Sequence, residues 1–291
     1  MTSRNQGRAE DARPVREVQQ LVSGLPASDG DGVKLIRIIG SPSLNMLDPF
    51  LLLDVFESDR AQDYIGGFPS HPHRGFETVT YMLAGKMRHK DSAGNEGVIE
   101  ANGVQWMTAG RGIVHSEMPE QNSGLLKGFQ LWVNLPSEHK MATPAYQEFP
   151  ADKLAVESRP DGSEIRVIAG TTDQGTTGPV VNHYVEPTYL DVSLVKHSTF
   201  KQSLPSEDNA FVYVIDGQLS LGKQGTKVKA GQLAVLAKGA SVEAMANKEN
   251  TRFLLVAAEP LNEPVARGGP FVMNTKAEVM QAFNDFQQNR F

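Results

Sequence analysis

Short apolar runs separated by glycine-rich turns dominate the chain, and most of them alternate with a period of two. Val33-Lys34-Leu35-Ile36-Arg37-Ile38-Ile39, closed by Gly40, reads as a first strand. Phe50-Leu51-Leu52-Leu53-Asp54-Val55-Phe56 is apolar almost throughout, as a strand buried on both faces is. Thr78-Val79-Thr80-Tyr81-Met82-Leu83 is rich in β-branched and aromatic residues and stops at Ala84-Gly85. A turn cluster from Asp91 to Gly97 precedes Val98-Ile99-Glu100, and Val104 to Thr108 and Gly128 to Asn134 are further strands around the turn Gly110-Arg111-Gly112. Many short strands at close spacing predict a β-sandwich or barrel.

The stretch from Pro136 to about Gly162 is rich in proline and polar residues and is taken as a boundary region. A second set of strands follows: Glu164 to Ile168, Tyr189 to Val195, Phe211 to Ile215, Leu219 to Leu221, Leu233 to Leu236 and Phe253 to Ala257. The strand ending at Gly85 resembles the one ending at Gly217, and Gly103 to Gly112 resembles Gly231 to Gly239, a weak internal duplication. Near the C-terminal end, Thr275-Lys276-Ala277-Glu278 forms a capping box, and Val279, Met280 and Phe283 recur at helical spacing, which predicts one amphipathic helix.

Composition narrows the function classes. The 291 residues carry a net charge of −6, which argues against a nucleic-acid surface built on bulk charge. There is no cysteine, which excludes disulfides, zinc-thiolate sites and iron-sulfur clusters. Residues 1–15 are polar and charged, expected to be flexible, and show no secretory signal; no apolar run approaches the roughly 20 residues of a membrane span. A cytoplasmic location without membrane association is the resulting expectation.

Two segments carry candidate chemistry. His71-Pro72-His73 and His115-Ser116-Glu117 each place two ligating side chains two residues apart, so on extended backbone each pair faces one way. Brought together, His71, His73, His115 and Glu117 offer three imidazoles and a carboxylate to a divalent transition metal. Glu77 lies four residues beyond His73 and is a second candidate carboxylate, or a hydrogen-bonding partner of a histidine. His89, His139, His183 and His197 sit in polar surroundings and are read as solvated. Arg74 and Arg111 flank the ligands as a substrate-anion site or a structural ion pair, and Trp106, Phe129 and Trp132 read as core.

The histidine motifs resemble those of the cupin superfamily, and the detailed match is to the pirin family. It is carried by His71-Pro72-His73-Arg74-Gly75-Phe76-Glu77-Thr78-Val79-Thr80-Tyr81, by Gly110 to Glu117, by Gly128 to Pro136, and by Glu263-Pro264-Val265 with Gly269 to Thr275. The resemblance implies an all-β fold of two jelly-roll-like cupin β-barrels in one chain with a short C-terminal helix. It puts a metal-binding barrel in residues 1–140, and a metal-free barrel with the helix in residues 141–291. It implies a mononuclear Fe(II) site, with Zn, Ni, Mn or Cu as alternatives. Glu117 ranks first as the carboxylate ligand, and Glu77 is kept as a supporting or alternative ligand. Counting back from Gly217 places Ser203, Pro205 and Asn209 at the positions of His71, His73 and Glu77, and matching Gly112 to Gly239 places Val242 and Ala244 at those of His115 and Glu117. None of the five reproduces the site.

The activity implied is quercetin 2,3-dioxygenase-type cleavage of a flavonol-like substrate, with Glu117 as catalytic base and Glu77 in reserve. That reading requires a pocket that reaches the metal with room for a bicyclic ligand. The alternative implied is a metal-dependent regulatory protein that binds a partner enzyme or transcription factor.

Overall fold

The computed structural model describes residues 14–291. The expectation for residues 1–15 therefore falls outside the described residues except at Pro14 and Val15, of which Val15 bridges to Ser241. The first half holds a seven-stranded antiparallel sheet in the order Ala145–Phe149, Val104–Thr108, Phe76–Ala84, Leu126–Asn134, Phe50–Ser58, Val33–Ile39, Leu25–Asp29. Across from it lies a four-stranded sheet in the order Phe68–His73, Ile113–Pro119, Met87–Asp91, Glu96–Ile99. The second half repeats both. Its seven strands run Val18–Ser23, Gln232–Leu236, Asn209–Asp216, Thr251–Ala258, Thr188–Leu194, Glu164–Ala169, Ala155–Ser158, and its four run Thr199–Ser203, Ser241–Ala246, Gln218–Leu221, Thr226–Lys229. The halves exchange edge strands in sequence terms: Val18–Ser23 pairs with Gln232–Leu236 in the second sheet, and Ala145–Phe149 pairs with Val104–Thr108 in the first.

The expectation of two closed β-barrels is corrected here. Among the described residues no sheet closes on itself, and each of the four main sheets ends in two edge strands with one partner each. Each half is an open pair of sheets, seven strands over four. Strand periodicity dictates which face is apolar but not whether two edges pair, so a barrel and a sandwich share one sequence pattern. At the corner where the chain crosses from the small sheet to the large one, Arg74 bridges to Phe271 in a separate hairpin, Ala266–Gly268 with Phe271–Met273. Gly75 makes this corner with φ 86°, and a Cβ there would lie 2.0 Å from the Val272 carbonyl oxygen.

Alternation along the strands assigns the two faces of each large sheet. Val79, Tyr81, Trp106, Phe129 and Leu131 of the first sheet share one buried cluster with Tyr189, Phe211, Tyr213, Leu254 and Val256 of the second, so the large sheets stack face to face. Phe129 and Tyr213 meet edge-on at 5.6 Å between centroids, and Phe50 and Phe211 at 5.3 Å. Polar groups are buried in this interface too: Asp191 accepts hydrogen bonds from Tyr81 and from Nε of Arg252 at 2.9 Å. In the second half the outer face is filled by a wholly apolar cluster, with Ala210, Val212 and Val214 against Leu219, Val242 and Ala244. In the first half the corresponding space holds the metal-site motifs beside a smaller apolar cluster that includes Leu35, Phe56, Met82 and Leu126.

Within the region taken as a boundary, Ala145–Phe149 and Ala155–Ser158 are short, partly exposed edge strands. Helix α1, Lys276–Gln287, begins at the capping box: the Thr275 side chain accepts from the Glu278 N–H, and the Glu278 carboxylate accepts from the Thr275 N–H at 2.7 Å. Val279 and Ala282 are its buried positions, while Met280 is exposed. No helix among the described residues is long and apolar enough to cross a membrane.

Asp191→Ala strands the Tyr81 hydroxyl and the Arg252 guanidinium at the interface between the halves. The expected loss is about 3–5 kcal/mol of stability, read as a lowered midpoint in urea unfolding.

Candidate metal centre

The small sheet builds the site. Phe68–His73 is an edge strand, where Pro69 and Pro72 are tolerated because a proline offers no ladder donor. Its extended backbone turns His71 and His73 to the inner face, and antiparallel pairing sets His115 of Ile113–Pro119 directly opposite His71. The three ring centroids lie 4.4 to 5.0 Å apart, and one nitrogen from each ring falls within 4.8 Å of the other two. His73 and His115 are buried and His71 is partly exposed.

These nitrogens suit a cation. Nδ1 of His71 is 2.7 Å from the Pro69 carbonyl oxygen, and Nδ1 of His73 is 3.4 Å from that of Pro270. A carbonyl accepts only, so each Nδ1 carries the hydrogen and each Nε2 presents a lone pair. Those two Nε2 atoms face each other at 3.0 Å. Two ligands at right angles on one ion, with bonds of about 2.1 Å, are separated by about 3.0 Å. Both ring nitrogens of His115 are buried without a hydrogen-bond partner among the described residues. Burial first, and then the neighbouring imidazoles, hold His73 and His115 well below the ordinary histidine range, so both rings are neutral. The residues fit a divalent transition ion.

The two carboxylates are placed differently. Glu117 follows His115 by two residues on a strand that pairs regularly with Met87–Asp91, so it faces inward with His115; the bulge opposite them lies in Phe68–His73. The Thr80 hydroxyl donates to Glu117 Oε1 at 2.8 Å, and the Gln130 amide lies 3.5 Å from Oε2. Glu117 lines the same cavity as His71 and His73, but its oxygens are not within the mutual 4.8 Å of the three histidines. Glu77 points the other way. Phe76 packs on His73 at 5.0 Å, so the next residue on the strand faces the second half. There Glu77 accepts from Thr108 at 2.8 Å and from Asn182 at 2.6 Å, and burial pushes its carboxyl up to about 7.

A cavity of about 770 Å³ opens onto the site. His71, His73, Glu117, Thr80 and Gln130 form its inner end, and Leu35, Leu52, Phe56, Met87 and Trp132 form apolar walls. Near the mouth Arg37 is held by Asp54 through paired bonds of 2.9 and 2.7 Å. Trp132 is therefore cavity wall beside His73, whereas Trp106 and Phe129 belong to the core between the halves. His89 is buried against Tyr146, contrary to the solvated reading, and His183 and His197 are exposed. Arg74 makes a structural ion pair with Asp285 at 2.8 Å. Sequence reasoning missed Thr80 and Gln130, although both fall on the Trp132 face by strand alternation, and Pro270, which no local signal marks.

In the second half the inward positions of the matching strand pair are Phe200, Gln202, Val242 and Ala244. Counting back from Gly217 gave Ser203 and Pro205 instead, because five residues, 204–208, join these strands where Arg74 and Gly75 alone join their counterparts.

Residues 32–133 match the family model described as Pirin, and residues 189–291 match that described as Pirin C-terminal cupin domain. A pirin-like protein of Caulobacter vibrioides is 50% identical over 278 residues, covering 96% of this chain and 100% of that one. Pirin of Homo sapiens is 44% identical over 266 residues, covering 89% and 88%. The crystal structure of quercetin 2,3-dioxygenase from Acinetobacter baumannii superposes with a TM-score of 0.86 at 35% identity, covering 95% of this chain and 98% of that one.

His73→Ala removes one nitrogen from the cluster, and metal analysis of the purified variant is expected to show loss of the ion with the fold retained. Glu117→Gln is expected to weaken metal binding more than Glu77→Gln does. Glu77 has its own signature in stability. Its folded carboxyl, near 7 rather than the usual 4.5, holds the proton more tightly than the unfolded chain does. Stability therefore falls as pH rises from about 4.5 to about 7, by about 3 kcal/mol from this group. Unfolding at pH 5 and pH 8 is expected to show that slope in the wild type and to lack it in Glu77→Gln.

Proposed function

The chain belongs to the pirin family of bicupins, and on that footing we propose that it is a mononuclear non-haem iron protein that oxygenates a flavonol-like substrate. The observation that carries this reading is the cavity of about 770 Å³, which has apolar walls and ends on His71, His73 and Glu117. Its size falls within the roughly 300–1,000 Å³ common for small-molecule sites. Support also comes from likeness to the Acinetobacter baumannii quercetin 2,3-dioxygenase.

His71, His73 and His115 would hold the ion through nitrogen, with Glu117 as the carboxylate beside them. When bound, iron(II) supplies the chemistry with dioxygen. The chain's own residues position the substrate. Trp132 and Phe56 offer aromatic surface to a planar ring system, and Leu35, Leu52 and Met87 exclude water around it. Glu117 is the proton acceptor for the substrate hydroxyl. Its Oε1 is engaged by Thr80, whereas Oε2 has only the long contact with Gln130 and is the atom free to take the proton. Thr80 and Gln130 thus hold the carboxylate at the cavity.

The test is an anaerobic titration of the iron(II) form with quercetin, followed by oxygen. Flavonol consumption with carbon monoxide release is expected, and one iron per chain without turnover contradicts the reading. Leu35→Trp, which fills the cavity away from the histidines, is expected to abolish consumption while iron content stays unchanged.

A further inference from the structure

The segment that carries helix α1 reaches the metal site from the far end of the chain. The Pro270 carbonyl oxygen lies 3.4 Å from His73 Nδ1 and accepts from the Arg74 N–H at the same distance, and the Val272 N–H donates to the Arg74 carbonyl at 3.0 Å. The buried Lys140 ammonium ties the two segments together by donating to the carbonyls of Gly75 at 2.7 Å and Val272 at 2.9 Å.

Arg74 extends this connection to the helix. Its Nε donates to the Arg111 carbonyl oxygen in the glycine turn that leads to His115. Its Nη1 donates to Asp285 of α1 at 2.8 Å, and both side chains are largely buried. The Phe291 ring lies 4.3 Å from the same guanidinium and occupies the space that a Cβ on Gly112 would need, 2.8 Å from that position. One side chain thus joins the loop after His73, the turn before His115 and the helix. The helix itself is lightly held. It buries Val279 and Ala282, packs on the short hairpin, and brings Phe283 to Phe271 at 4.8 Å. An element with so few buried side chains sits at the low end of local stability.

We propose that docking of α1 and metal occupancy are coupled through Arg74, with Asp285 and Phe291 as positioning residues for His73 and His115. This rests on the metal assignment above and not on the reaction. Coupling of this kind is reciprocal: whatever α1 docking adds to metal affinity, the metal returns to the docking of α1. Occupancy of the centre is thereby reported at the protein surface, some distance from the cavity, by how firmly the helix is held.

Two readouts on the full chain test it. Iron(II) affinity is measured anaerobically by chelator competition for the wild type, Asp285→Asn and Glu157→Gln; the last breaks a buried cluster with Thr172 and Arg159 in the second half. Hydrogen exchange of residues 276–287 is followed with and without iron(II). Asp285→Asn is expected to weaken iron binding by about 5-fold or more, the low end of a typical coupling between sites, and Glu157→Gln to leave it unchanged. Exchange in α1 is expected to slow on iron binding. Equal affinity in the wild type and Asp285→Asn, or α1 exchange that is indifferent to iron, overturns the proposal. If Asp285→Asn does not fold, the wild-type exchange comparison decides alone. Neither readout needs turnover, so absence of flavonol oxygenation sinks the functional reading and leaves this one standing.

Discussion

Face-to-face stacking of the two seven-stranded sheets constrains everything else in this molecule. It commits one face of every central strand to the core between the halves, and with period-two alternation the other face is left for the space under the small sheet. On Phe76–Ala84 the consequence is explicit. Val79 and Tyr81 are spent on the core, whereas Phe76 and Thr80 face the histidines and Glu117. In the second half the same geometry leaves a space filled with valine, alanine and leucine. One half therefore has a chemical interior and the other an apolar one, on the same strand order.

That constraint also explains how much was legible in the sequence. Strand alternation and the H-x-H and H-x-E spacings were enough to bring His71, His73 and His115 to one point, because both pairs lie on extended neighbouring strands. The separation of Glu77 from the histidines follows from the same parity once Phe76 is known to face them. Parity likewise puts Glu117 on the His115 face, but the Thr80 and Gln130 contacts that hold its carboxylate come from the large sheet and have no local signature. Barrel closure was not legible for the same reason: edges pair or stay open according to tertiary context, and the corner at Arg74-Gly75 is met by a hairpin some 200 residues away. His89 was misread because its neighbours in sequence are charged, while its neighbours in space are Gln105 and Tyr146.

The site is supported from two directions. Lone pairs of neutral imidazoles held 3.0 Å apart repel unless a positive charge lies between them, so a cation would complete the packing at this corner. Around it Thr80, Gln130 and Trp132 come from the large sheet and are fixed by its ladder, while the Pro270 contact and the Arg74 connection come from the hairpin and α1.

X-ray absorption at the iron edge, recorded anaerobically on the iron(II) protein before and after saturation with flavonol, addresses the central claim most directly. The account predicts scattering from three imidazoles in both states, and a change in the oxygen shell when the flavonol binds. A spectrum that stays the same at saturating flavonol would place the substrate away from the ion and contradict it.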